Sequence, residues 1–240
     1  MTGETLASIP VARRIKLAGS QKIVAERMVE SLRVNASVTA MAEAPAGALL
    51  KACAQWQSSG SKAGLTHLLI HACARCLERH PRLNGAIFED QIVEFAEINI
   101  ALAVSLPDGG LQSVVIRRAN EKDIPQITEE AQSLVQRARD GALKLEHVRG
   151  GTFTLSNYAG LKHVVWATPI IPPGQSGVLG VGRIHHSLAP QAGKNGYTTQ
   201  ETLPLSLTYD HRLINGMAAG AFLEDLIDMM DTTSLERTNG

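Results

Sequence analysis

A histidine between two oppositely charged residues is the feature of this 240-residue sequence best suited to chemistry. His211 stands in the run Asp210-His211-Arg212-Leu213-Ile214-Asn215-Gly216, between a strand-like stretch and a helix-like stretch. An imidazole at such a junction can act as a general base, because its unperturbed pKa lies near neutral pH. A histidine between Asp210 and Arg212 at a strand end is also commonly a structural, hydrogen-bonding residue. On these residues alone, both interpretations stay open.

Three other groups of residues have the composition of ligand sites, but a structural interpretation is favoured for each. Cys73 and Cys76 have C-x-x-C spacing, yet both fall on the apolar face of a predicted helix and no second cysteine pair accompanies them. His185 and His186 follow the predicted strand 177–184; two adjacent strand residues would face opposite ways, so a solvated strand end is favoured over a metal site. The Asp-Gly-Gly turn at 108–110 is not followed by the helix that a phosphate loop needs. The sequence therefore predicts no metal.

Apolar periodicity predicts the elements that must position His211, in one α/β domain with helices over a mixed, mostly antiparallel sheet. Flexible segments are predicted on both sides of it, an arm at 1–14 and a polar tail at 232–240, leaving the domain at 15–231. Ser20 is the predicted cap of the first helix, and 156–160 is a predicted turn. The predicted helices are 20–33, 46–56, 66–80, 124–139 and 216–231, and the predicted strands are 36–41, 86–88, 92–95, 98–106, 111–117, 152–155, 177–184 and 203–209.

Composition limits the classes of partner. The chain carries 23 basic and 23 acidic side chains, so no overall field of one sign attracts nucleic acid or a membrane surface. The first residues lack the apolar core of a signal peptide, and no window approaches the ~20 apolar residues that span a bilayer. Three cysteines, an odd number, are typical of a reducing compartment. We expect a soluble, cytoplasmic protein.

Several motifs along the chain resemble one family. The run 210–216 resembles the D-H-R-x-x-[DN]-G signature of the dihydrolipoyl acyltransferase catalytic domain of 2-oxoacid dehydrogenase complexes, a relative of chloramphenicol acetyltransferase. The segment 151–157 (G-T-F-T-L-S-N) is similar to another family motif, and 169–173 with 180–182 to the stretch that follows it. Residues 25–31 resemble the first helix, and 98–104 the central hairpin. The resemblance spans about Arg13 to Met230 and implies a chloramphenicol acetyltransferase-like two-layer sandwich.

The resemblance also implies a reaction, the transfer of an acyl group between a dihydrolipoyl thiol and coenzyme A. It assigns His211 as the general base and Ser156 as the hydroxyl that stabilises the oxyanion; without it, Ser156 is a turn residue beside Asn157. Asn215, Asp210 and Arg212 are supporting residues.

Oligomeric state and partners follow from the same resemblance. It implies a homotrimer in which the histidine of one subunit faces the serine of the next, and it leaves a larger assembly open. Because the chain holds no lipoyl lysine, we expect the lipoyl group in trans, on a lipoyl protein or an acyl carrier protein, with 2-oxoacid dehydrogenase subunits as further partners.

Departures from the family pattern leave two alternative functions open. Val114 replaces a usual proline, 162–166 (K-H-V-V-W) replaces a Gly-rich turn, and 36–38 (A-S-V) replaces a P-H-F segment. Asn215 stands where aspartate is commoner, and an amide supplies no negative charge. These departures suggest, as one alternative, a free-standing biosynthetic acyltransferase that takes a carrier-protein or CoA thioester and a non-thiol acceptor. The other alternative is a non-catalytic trimeric scaffold, which the presence of both His211 and Ser156 disfavours.

Overall fold

A seven-stranded mixed sheet organises the chain in the computed structural model, which describes residues 5–106, 110–191, 195–231 and 235. The strands are β1 (Thr5–Leu6), β2 (Ile9–Pro10), β3 (Ser37–Pro45), β4 (Gly85–Phe88), β5 (Gln91–Glu94), β6 (Ile100–Ser105), β7 (Leu111–Ile116), β8 (Phe153–Asn157), β9 (Gly177–Val181), β10 (His185–Pro190) and β11 (Tyr197–Asp210). The strand order in the seven-stranded sheet is β10-β11-β9-β8-β6-β7, and β3 also pairs with β11. β8 runs parallel to β6 and β9, whereas the other neighbours in this sheet are antiparallel.

Four helices cover one face of this sheet with apolar side chains. α2 (Gly47–Ser58), α3 (Leu65–Leu77), α4 (Ile124–Arg139) and α5 (Gly216–Asp231) bury residues in a single core with the inward side chains of the strands. Along β11 the inward side chains are Leu203, Leu205 and Leu207, each fully buried. Strand residues alternate between the two faces, so Ser206 and Thr208 point to the opposite side, which we call the outer face. The chloramphenicol acetyltransferase-like layering expected from the sequence is present.

The first helix, α1 (Gly19–Val34), has an apolar face that this subunit does not cover. Val24, Val29 and Leu32 are 49%, 69% and 58% exposed. One buried link to the rest of the chain is the Ser31 hydroxyl, which donates to the Ile171 carbonyl at 2.5 Å. The helix begins at Gly19 with Ala18 as its N-cap residue, so the prediction that Ser20 caps it is wrong.

Several other predictions also required correction. Ser156 and Asn157 are not in a turn but end β8, where they pair with Gly180 and Val181. His185 and His186 open β10, a strand absent from the prediction, and β11 begins six residues before the predicted start at Leu203. The remaining predicted helices and strands are present: α4 and α5 have the predicted bounds, and the others have shifted ends. Leu235, which the sequence placed in the tail, is fully buried and its carbonyl accepts a hydrogen bond from Trp56 Nε1 at 2.9 Å.

Candidate active site

An ion pair between the buried Asp210 and the exposed Arg212 fixes the loop that carries His211. The Asp210 side chain is 2% exposed and accepts hydrogen bonds from Arg212 Nε at 3.0 Å to both oxygens and from Nη2 at 2.5 Å. Burial alone would raise the pKa of Asp210, but hydrogen bonds from Arg212 and from the Ala36 backbone, together with the arginine charge, outweigh it and lower that pKa. Asp210 therefore stays ionised. The pair joins the last residue of β11 to the loop that follows it, and Arg212 Nη2 also donates to Asn35 Oδ1 at 3.3 Å.

The His211 imidazole projects from this loop into solvent. Its backbone N–H donates to the Ala36 carbonyl at 2.9 Å, which joins the end of β11 to the start of β3. The ring lies 5.8 Å from the Tyr209 ring, tilted by 37°. Among the described residues, neither ring nitrogen of His211 has a hydrogen-bond partner. Both nitrogens are therefore open to a group that comes from outside this subunit.

Asn215 caps the helix that follows. Its Oδ1 accepts a hydrogen bond from the Ala218 backbone N–H at 2.9 Å, in the first turn of α5. This is the usual arrangement of an asparagine N-cap, and it fixes the direction of the side chain. Within this subunit Asn215 supports the loop and the helix, and its amide nitrogen remains exposed.

Ser156 lies on the outer face of β8, in register with Gly180 of β9. The position is half-buried. Tyr158 returns over the same strands, and its ring lies over Gly180, where a built Cβ would be 3.1 Å from both Cε2 and the hydroxyl oxygen. Burial raises the pKa of Tyr158, and the neighbouring Ser156 hydroxyl lowers it in part. Tyr158 is a site residue that the sequence interpretation missed.

A cleft opens on the outer face at Thr154, and Ser156 is not among its lining residues. The cleft has a volume of about 540 Å³, and Thr154 precedes Ser156 by two residues and therefore faces the same way. The Thr154 hydroxyl donates to Gln175 Oε1 at 2.7 Å, and Gln175 Nε2 donates to the Gly151 carbonyl at 3.0 Å. Arg27 and Arg149 line the mouth of the cleft. A cleft of this size can admit an extended thiol-bearing arm.

The two predicted catalytic residues lie far apart within one subunit. Ser156 pairs with Gly180, Gly180 pairs with Ser206, and His211 follows Ser206 by five residues. At ~3.3 Å per residue and ~4.8 Å per strand spacing, the two Cα atoms are about 19 Å apart. The His211 and Ser156 of one chain therefore do not meet at one thioester carbon.

The two cysteines with C-x-x-C spacing are part of the apolar core. Cys73 and Cys76 are fully buried and make no disulfide, as the helix pattern predicts. Burial raises the pKa of Cys73 well above its usual value and that of Cys76 to about 11, so both stay protonated thiols. Within the described part of the chain, no three His, Cys, Asp or Glu residues are placed to hold a metal ion. No helix in the same part is long and apolar enough to cross a membrane.

Comparison with known proteins supplies the family. The model of the 2-oxoacid dehydrogenases acyltransferase catalytic domain matches residues 10–235. The chain belongs to this family. A curated relative is the mitochondrial dihydrolipoyllysine-residue succinyltransferase component of the 2-oxoglutarate dehydrogenase complex of Saccharomyces cerevisiae, 34% identical over 91% of this chain and 47% of that protein. The chain thus spans about half the length of that relative.

Solved structures agree with this assignment. One is the dihydrolipoamide acetyltransferase of Azotobacter vinelandii, studied for the role of a serine, a histidine and an asparagine in its catalytic mechanism. It is 28% identical with a TM-score of 0.87, and the match covers 95% of this chain and 96% of that one. The cubic core of a pyruvate dehydrogenase multienzyme complex gives the same values. Chloramphenicol acetyltransferase shares the fold alone, with a TM-score of 0.54 and 15% identity over 85% of this chain and 94% of that one.

Proposed function

We propose that this chain transfers an acyl group between a dihydrolipoyl thiol and the thiol of coenzyme A. The observation that carries the proposal is the exposed His211 imidazole, which has no hydrogen-bond partner among the described residues and stands on a loop held by the ion pair of Arg212 with the buried Asp210. A general base needs a free nitrogen at a fixed place, and this loop provides both.

In the proposed mechanism, His211 removes the proton from the incoming thiol. The thiolate attacks the thioester carbonyl, and a tetrahedral oxyanion forms. The Ser156 hydroxyl donates a hydrogen bond to that oxyanion, and collapse expels the second thiolate, which takes the proton back from His211. One oxyanion donor of this kind contributes about 3 kcal/mol to lowering the barrier.

A cyclic trimer would bring the two residues together. The separation of about 19 Å within one chain requires that the His211 of one subunit meet the Ser156 of another. The exposed apolar face of α1 supplies surface for such contacts. A larger assembly of trimers finds support in the cubic core to which this chain is similar.

The comparison with the Azotobacter vinelandii enzyme also bears on Asn215. In the Azotobacter vinelandii enzyme the histidine and the asparagine studied are four residues apart. His211 and Asn215 have the same separation, so Asn215 is a third candidate in the site, with its exposed amide nitrogen as the available donor.

Coenzyme A and a lipoyl group are the proposed substrates, with the lipoyl group brought in trans by a lipoyl protein or an acyl carrier protein. Dehydrogenase subunits of a 2-oxoacid complex are the proposed larger partners. The relatives named above move succinyl and acetyl groups, so the acyl group here is a matter for direct assay.

Fewer departures from the family pattern now support the alternative function, in which the acyl acceptor is not a thiol. Val114 pairs with Leu102 and is fully buried in the core, away from the outer face that carries Ser156. The departure at 162–166 still supports this alternative. Its backbone contacts the residues that follow β9, where the Val164 carbonyl accepts a hydrogen bond from the Arg183 N–H at 3.1 Å.

An assay that separates free CoA from acyl-CoA by chromatography tests the proposal, because transfer between two thiols leaves the total number of free thiols unchanged. Acetyl-, propionyl-, isobutyryl- and succinyl-CoA are each offered to dihydrolipoamide with purified wild-type protein and His211→Ala. We expect release of CoA from one of the four with wild-type protein only. Release that is equal in His211→Ala would overturn the mechanism, and no release with any donor would favour the carrier-protein alternative.

A further inference from the structure

Two adjacent residues at the junction of α1 and β3 hold the loop that carries His211. The Ala36 backbone N–H donates to Asp210 Oδ1 at 3.3 Å, and the Ala36 carbonyl accepts from the His211 N–H at 2.9 Å. Asn35 is the C-cap residue of α1, and its Oδ1 accepts from Arg212 Nη2 at 3.3 Å. Each of the three consecutive loop residues is therefore hydrogen-bonded to this junction.

Asn35 is in turn bound to a buried carbonyl through Ser31. Asn35 Nδ2 donates to Ser31 Oγ at 3.0 Å, and Ser31 Oγ donates to the Ile171 carbonyl at 2.5 Å. Ser31 and Ile171 are both fully buried, whereas the Arg212 side chain is 41% exposed. Three hydrogen bonds in series thus connect a buried backbone carbonyl to the arginine beside His211. We call this series the Asn35 link.

The two ends of the Asn35 link fix the direction of every hydrogen bond in it. A carbonyl oxygen can only accept, and a guanidinium can only donate. Ser31 has one hydrogen, which it gives to Ile171, so Ser31 must accept from Asn35. A flipped Asn35 amide would place its oxygen against an Oγ with no free hydrogen and its nitrogen against another donor. One orientation of the Asn35 side chain therefore satisfies both neighbours.

We propose that Asn35 is a positioning residue for His211, because the Asn35 link joins the loop that carries the imidazole to the rest of the subunit. Asp210 and Arg212 are two residues apart in sequence, whereas Asn35 and Arg212 are 177 residues apart. A general base must stay within hydrogen-bonding reach of the thiol, and a displacement of ~1 Å can lower the rate about a hundredfold. The inference rests on the proposed function, in which His211 is that base.

Asn35→Leu removes both side-chain hydrogen bonds and keeps a side chain of similar size. We expect kcat to fall about three- to tenfold with KM unchanged, as for the loss of one hydrogen bond to a charged group. Ser31→Ala should cause a loss of similar size, and the double variant should be no worse than either single variant, because both interrupt the same link. Wild-type kcat in Asn35→Leu would overturn the inference.

Asn120→Leu is the matched control. Asn120 lies between β7 and α4, and its Nδ2 donates to Glu78 Oε1 at 3.0 Å, so this variant also loses an asparagine hydrogen bond to a charged group. It should keep wild-type kcat, because it has no contact with α1 or with the loop. An equal loss of kcat in Asn120→Leu and Asn35→Leu would refute a role specific to Asn35.

Mixed trimers separate positioning of His211 from a general structural effect. In the proposed cyclic trimer, a mixture of His211→Ala and Ser156→Ala subunits has active sites only where the second kind of subunit supplies His211 and the first supplies Ser156. Asn35→Leu should lower kcat when it is placed on the subunit that supplies His211, and it should leave kcat unchanged on the subunit that supplies Ser156. Equal losses in the two placements would overturn the inference.

Amide hydrogen exchange tests the Asn35 link without using activity. In Asn35→Leu, mass spectrometry of peptides that span 210–216 should show exchange about fivefold faster than in wild-type protein, while peptides from α4 keep the wild-type rate. An unchanged rate in 210–216 would refute the positioning role. Faster exchange there, together with a wild-type protein that transfers no acyl group, would refute the proposed function alone.

Discussion

Mixed trimers built from two inactive variants, His211→Ala and Ser156→Ala, should regain about one third of the wild-type activity per trimer, if the trimer is cyclic. Each variant alone lacks one half of every site. The two residues of one chain are about 19 Å apart, so each site needs residues from two subunits.

The expected magnitude follows from counting interfaces. In a cyclic trimer, each site joins the His211 of one subunit to the Ser156 of the next. A trimer with either composition, two of one variant and one of the other, has one interface at which an intact His211 meets an intact Ser156. One site of the three is therefore active whichever composition is isolated, giving about one third.

The assay uses co-expression of the two variants with different affinity tags. Purification on both tags in sequence retains only mixed trimers, and CoA release is then measured per subunit. A co-expressed pair of differently tagged His211→Ala chains is the control and should stay inactive. Activity of the mixed trimers no higher than that of the parent variants would refute the shared site.

Three further predictions concern the loop and the buried thiols. Arg212→Ala should lower the free energy of unfolding by about 2 kcal/mol near pH 7, since Asp210 is left buried with fewer partners, whereas Arg82→Ala, which removes an exposed pair, should cost under about 1 kcal/mol. The pKa of Asp210 is lower in the folded protein than in the unfolded chain, so ionised Asp210 stabilises the fold above the unfolded pKa of ~3.9. This stabilisation is lost as the pH falls through the folded pKa. In urea titrations, the difference in free energy of unfolding between wild-type protein and Arg212→Ala should therefore shrink in acid, and a constant difference would contradict this. Asn215→Ala should lower the free energy of unfolding by about 1 kcal/mol and Asn215→Ser should restore most of it, because either side chain can cap α5; equal loss in both would exclude the capping role. Cys76, whose pKa burial raises to about 11, should react with a disulfide reagent at pH 8 only after unfolding, and rapid labelling of the folded protein would disprove its burial.

The sequence predicted those parts of the fold whose signals are local. The hairpin of β4 and β5 has a short polar turn between two apolar runs, and Glu89 and Asp90 adopt the positive φ angles that such a turn requires. α4 has a clear apolar stripe and begins and ends at the predicted residues. β10 was missed because its side chains alternate between exposed and half-buried without an apolar repeat, so that pairing with β11 alone defines it.

In the candidate site, too, residues with a local sequence signal could be predicted and a residue without one was missed. His211 and Ser156 were found because they stand in motifs of neighbouring residues. Asn215 has a local signal that the sequence interpretation did not use, since asparagine directly before a helix is a common N-cap. Tyr158 had no such signal: its position depends on the missing side chain of Gly180, on a different strand, and only the register of β8 with β9 brings the two together.

The most direct test of the central claim is acyl transfer from acyl-CoA to dihydrolipoamide by wild-type protein, compared with His211→Ala at equal concentration and with the same oligomeric state. We expect saturable CoA release by the wild-type protein and loss of that release in His211→Ala. Undiminished release by the variant would contradict the assignment of His211 as the general base.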